Sequence, residues 1–147
     1  MWLDEALTVN IASQPLHQIP QALQHDGHPP LYYLLLHGWM NLFGTSNVAI
    51  RSLAGVFGLL TVPVTWLVGR RVGGRTVAWC AAVVVSVMPF AIRYSTENRM
   101  YSLVMLLALV GWLCADAALR RPRPLPLIGL ALCTGALLWS QYWAMWL

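Results

Sequence analysis

The chain has 147 residues, 59% apolar and only 10% charged, with a mean hydropathy of +0.62, against roughly 45–50% and about 25% in a soluble domain. That composition excludes a soluble domain, a disordered chain, a collagen-like repeat and a disulfide scaffold, and leaves an integral membrane protein, whose apolar runs below are of helical length and make it all-α. The net charge of +4 comes from nine arginines and no lysine against five acids. In such a chain arginines set topology rather than bind nucleic acid, which is not expected as a partner.

In chain order, Trp2-Leu3-Asp4-Glu5-Ala6 opens with an adjacent acid pair. It reads as a solvated turn, as the first turn of a helix Glu5–Ser13 where the dipole favours acids, or as a place for chemistry. His25-Asp26-Gly27-His28-Pro29-Pro30-Leu31-Tyr32-Tyr33 follows. Its histidines and acid suit an anionic head group, a cation or, as the lesser alternative, a metal held by His25, Asp26 and His28. The structural alternative is a loop that caps the next helix. His17 and His37 lack acidic neighbours and read as structural or solvated.

Leu31–Phe43 is apolar but only thirteen residues long, about 20 Å of helix against a hydrocarbon core of about 30 Å. With Tyr32, Tyr33, Trp39 and Phe43 it reads as an interfacial helix, opened by Pro29-Pro30 and closed by Gly44. Four longer runs are predicted to span: 52–69, 76–92, 97–119 with a polar first turn, and 125–147. Cys80, Cys114 and Cys133 lie inside these runs and read as small apolar residues, without metal or disulfide spacing.

Arg70, Arg71 and Arg75 fall in one loop, and Arg120, Arg121 and Arg123 in another. Both loops are therefore expected on the cytoplasmic side. Residues 1–51, the 93–99 turn and Leu147 then lie outside, with four of the five acids. At that turn, Arg93-Tyr94-Ser95-Thr96-Glu97-Asn98-Arg99-Met100-Tyr101 is read in two ways. Ser95 or Thr96 caps the next helix beside an Arg–Glu pair, or two arginines and Glu97 hold a phosphate near a hydroxyl. Residues 1–24 are too polar for a signal peptide or a span, yet are expected outside. A helix before them is therefore expected, and with no polar flank after the fourth span at Leu147 both ends look cut, so the chain reads as a fragment of a larger membrane protein.

As an ordered set these segments resemble the N-terminal part of the GT-C class of membrane glycosyltransferases, in the branch of protein O-mannosyltransferases and polyprenyl-phosphate-sugar transferases. The resemblance rests on Trp2-Leu3-Asp4-Glu5; on Asp26-Gly27-His28-Pro29-Pro30-Leu31-Tyr32-Tyr33; on Phe43-Gly44 followed by Arg51; on Arg70-Arg71 with Gly74-Arg75; and on Tyr94-Ser95 with Glu97, Arg99, Met100 and Tyr101. Asn98 stands where a small residue is expected.

The resemblance implies transfer of a hexose or pentose, mannose-like, from a polyprenyl-phosphate sugar at the outer face of the cell membrane. The acceptor would be a hydroxyl of a protein, glycan or lipid, and the anomeric centre would invert. It places the base on Asp4 with Glu5 as neighbour, and His28 near the donor phosphate. Arg93, Glu97, Arg99 and Tyr101 are the further substrate-binding candidates. No cofactor is required; a divalent metal, with Asp26 and His28 as the residues for it, is not predicted. The rival readings are a non-catalytic membrane fragment or subunit and, less favoured, a transporter. A transporter wants ionisable groups at mid-membrane, where the spans offer only groups such as Thr61, Thr65, Ser86 and Thr134.

Overall fold

The computed structural model describes residues 3–14, 29–121 and 123–141, the first four by backbone alone. Six helices and no strand occur among the described residues: α1 (Leu3–Ala12), α2 (Leu31–Phe43), α3 (Asn47–Val87), α4 (Pro89–Thr96), α5 (Tyr101–Arg120) and α6 (Pro124–Ser140). The protein is all-α. Two of its helices, α3 and α5, are long and apolar enough to cross a membrane.

Helix α2 has the bounds its punctuation predicts. Pro30 is the N-cap, and Gly44 ends the helix at φ 85°, its amide donating back to the Met40 carbonyl. Side chains four apart share one helix face, so Tyr32, Leu36 and Met40 are buried together while Leu35 and Leu42 stay exposed. Ser46 then caps α3 by accepting from the Ala49 amide at 3.2 Å. Trp39 locks α2 to α3, donating from Nε1 to the Ala49 carbonyl at 2.9 Å and to Ser52 Oγ at 3.1 Å.

The 41 residues of α3 would make about 60 Å of straight helix, but the helix reverses. Gly73 and Gly74 leave helical geometry, with Gly74 at φ 78°, a region that favours glycine. The arms 47–72 and 75–87 then run side by side. A Cβ on Gly69 would lie 2.7 Å from Ala78 Cα, and one on Gly58 would lie 2.5 Å from Ser95 Cβ. Small residues at such crossings let membrane helices approach closely. Trp66 and Trp79 pack edge to face across the arms, their centroids 5.9 Å apart. Helices α5 and α6 pair in the same way: Cys114 lies against Gly129, and buried Cys133 against Gly111. Those two cysteines are the small packing residues expected.

Four expectations need correction. The run 76–92 is not one helix, because Met88 is extended (φ −68°, ψ 119°) before Pro89. Proline clashes with a helical residue before it and brings no N–H. The third run begins at Tyr101 rather than 97, since 97–100 form a turn. Ser95 and Thr96 do not cap α5. They close α4, their hydroxyls donating to the Ile92 and Arg93 carbonyls at 2.8 Å each. In addition, α1 spans Leu3–Ala12 rather than Glu5–Ser13. Of the fourth run, Pro124–Ser140 is helical and 142–147 lie outside the described residues.

Candidate functional site

One core gathers the segments that carry the polar motifs. Ala12 of α1, Tyr32, Leu36 and Met40 of α2, Ile50 and Leu53 of α3, and Met100 and Leu103 around the start of α5 form a single buried cluster. Each buried Leu or Ile removes enough apolar surface to contribute roughly 1.5–3 kcal/mol, so the cluster fixes how α1, α2 and the 97–100 turn sit together. His37 ties α1 to α2, its Nδ1 lying 2.8 Å from the Ala12 carbonyl. A carbonyl only accepts, so Nδ1 carries the hydrogen and His37 is structural.

The turn is held by a polar contact inside that core. Tyr32 Oη donates to Asn98 Oδ1 at 2.8 Å, and both side chains are buried. Neither residue was singled out for this role from sequence, because the two stand 66 positions apart. The nearest signal was the misfit of Asn98 at a position expected to be small.

Around this anchor the candidates divide. Arg93 Nε donates to Glu97 Oε1 at 2.9 Å, one turn apart. The hydrogen bond and charge of Glu97 hold the guanidinium pKa above its ordinary value, so Arg93 is always cationic. Its side chain is 72% exposed against 23% for Glu97, so the acid orients a cation that projects outward. Arg99 lies over the Tyr101 ring at 5.9 Å, and Tyr101 packs on Tyr94, which packs on Phe90. Arg93, Glu97, Arg99 and Tyr101 thus occupy one turn at one end of the helices. Beside it a cleft of about 350 Å³ is walled by Gly55, Gly58, Ile92, Ser95, Thr96 and Met105, among others.

For Asp4 and Glu5 the structure describes only the backbone, in the first turn of α1. His17, His25, Asp26 and His28 lie outside the described residues. No group of three metal-ligating side chains occurs among the described residues.

Six other arginines, Arg70, Arg71, Arg75, Arg120, Arg121 and Arg123, lie at the other end of α5. Arg71 Nη1 donates to Asp116 Oδ2 at 2.9 Å, and Arg120 Nε to Asp116 Oδ1 at 2.8 Å. Asp116 thus joins the 70–75 segment to the start of the 120–123 segment, and both lie at the same end of the helices. The twenty residues of α5 put about 30 Å, one hydrocarbon thickness, between this end and the Tyr32–Asn98 end.

A family model described as dolichyl-phosphate-mannose-protein mannosyltransferase matches residues 27–147. No curated protein and no solved structure matches the chain. The family match covers the helix after the two prolines, the 93–101 turn and both arginine loops, and starts after Asp4 and Glu5.

Proposed function

This chain belongs to the dolichyl-phosphate-mannose-protein mannosyltransferase family, and from that premise we propose that it forms the donor-side part of a membrane enzyme that moves a mannose-like sugar from a polyprenyl phosphate to an acceptor hydroxyl. In this reading the first arm of α3, its second arm continued by α4, and α5 and α6 cross the bilayer. Helix α2 lies along the outer interface, and the 93–101 turn faces outward. The acceptor is a protein, a glycan or a lipid.

The observation that carries the reading is the convergence of α1, α2 and the 97–100 turn on one core, at the end away from the arginine loops. A lipid-linked sugar keeps its tail in the bilayer and its phosphate at that depth. The acceptor oxygen attacks the anomeric carbon and forms the new C–O bond, while its proton passes to the Asp4 carboxylate, with Glu5 beside it. The bond from the anomeric carbon to the phosphate oxygen breaks, and its electron pair leaves with the polyprenyl phosphate. Attack opposite the leaving group inverts the centre. His28, Arg93 and Arg99 meet the charge that grows on the phosphate, with Glu97 and Tyr101 placing the arginines. Because the leaving group is already a phosphate ester, no metal or cofactor is obligatory.

The test uses membranes bearing the intact enzyme that carries this chain, supplied with labelled polyprenyl-phosphate mannose. Expected is release of polyprenyl phosphate together with a mannosylated product of opposite anomeric configuration. Retention of configuration, or release that ignores the sugar donor, would overturn the reading.

A further inference from the structure

The arginine end does more than orient the chain. Six arginines meet there (Arg70, Arg71, Arg75, Arg120, Arg121 and Arg123) against one acid, Asp116. Asp116 occupies Arg71 and Arg120, and Arg70 lies over the Trp66 ring at 5.3 Å. Arg121 and Arg123 have no carboxylate partner among the described residues. They border an open cleft of about 310 Å³ whose lining is Arg71, Ala117, Arg120, Arg121, Arg123 and Pro126.

The cleft therefore has four guanidinium walls, two fixed by a carboxylate and two uncommitted. Helix α6 starts at the same place, with Arg123 as its N-cap and Pro124 in its first turn. Its N-terminal dipole adds partial positive charge. Depth is the second constraint. The cleft lies where α5 ends, and the 20 residues of that helix match about 30 Å of hydrocarbon. Whatever fills the cleft sits at head-group level.

We propose that this cleft is a binding site for the phosphate of an anionic phospholipid, on the membrane face opposite the sugar-transfer site. Planar guanidinium forks match phosphate oxygens in pairs, and basic clefts between membrane helices recognise anionic head groups. The site does not depend on the transferase reading, since it uses none of its residues.

The experiment places the purified protein in nanodiscs of mixed phosphatidylglycerol and phosphatidylcholine and measures by native mass spectrometry which lipid it retains. Wild type should prefer phosphatidylglycerol. Arg121→Gln with Arg123→Gln should reduce that preference about tenfold or more. Arg70→Gln with Arg75→Gln removes the same charge from the same end but outside the cleft, and should keep the preference within about twofold if a built site rather than diffuse charge is responsible. Arg121→Lys with Arg123→Lys keeps the charge that orients the chain and should retain more lipid than the Gln pair. The proposal is overturned by equal loss in the two Gln pairs, by a Lys pair no better than its Gln counterpart, or by absence of preference in the wild type. Displacement by millimolar inorganic phosphate would also overturn it, because the site would then serve a free anion.

Discussion

The Tyr32 hydroxyl donates to the Asn98 amide oxygen at 2.8 Å inside the core, joining the first turn of α2 to the turn that carries Glu97 and Arg99. Phe at position 32 would keep the ring and remove this hydrogen bond from the buried Asn98 amide oxygen. Tyr32→Phe should lower unfolding stability by about 1–3 kcal/mol, read from denaturation in detergent. A change within noise would mean that packing alone holds the turn.

The α3 hairpin depends on the backbone approach at Gly69. A side chain there meets the Ala78 backbone at 2.7 Å, whereas nothing lies within 4 Å of a Cβ on Gly135. Gly69→Ala should cost about 1–3 kcal/mol by overpacking, while Gly135→Ala should stay within about 0.5 kcal/mol or stabilise its helix. Thermal melts of the two variants side by side check this; equal melting temperatures would argue against the close crossing.

Much of this fold was legible because proline, glycine and charge punctuate the chain. Pro29-Pro30 and Gly44 set the bounds of α2, and the two arginine runs fall at one end of the helices. The break at Met88 was missed because the hydropathy stays high across it, although Pro89 was the available signal. Ser95 and Thr96 were misread as caps because their hydroxyls satisfy carbonyls behind them. Nothing local links Tyr32 to Asn98, or Arg71 to Asp116, since those pairs exist only once helices pack. At the candidate site, the Arg93–Glu97 pair follows from one-turn spacing, whereas the roles given to Asp4 and His28 rest on resemblance.

The proposed sidedness rests on the arginine split and is tested by labelling. In a version with Cys80, Cys114 and Cys133 replaced, single cysteines at 71, 97 and 121 report exposure to an impermeant reagent. Expected is labelling in intact cells at 97 but not at 71 or 121. Cysteines at 31 and 43 should agree with 97 if α2 lies along the interface as proposed. Labelling at 71 without 97 would invert the topology.

The donor-binding role proposed for Arg99 has its own test. Arg99→Ala in the correctly inserted intact enzyme should weaken donor binding and slow transfer, and Arg99→Lys should restore both only in part, since lysine lacks the planar fork. Unchanged donor affinity and turnover in Arg99→Ala would leave this residue as an anchor at the membrane surface, stacked on Tyr101.

The most direct test of the transferase reading is the turnover of Asp4→Asn in the intact enzyme, measured beside its donor affinity. Asparagine keeps the shape and removes the basicity, so transfer should fall by ~10²-fold or more, the contribution of a positioned base, while donor affinity stays close to wild type. Near-normal turnover with Asn at position 4 would contradict the assignment and move the base elsewhere.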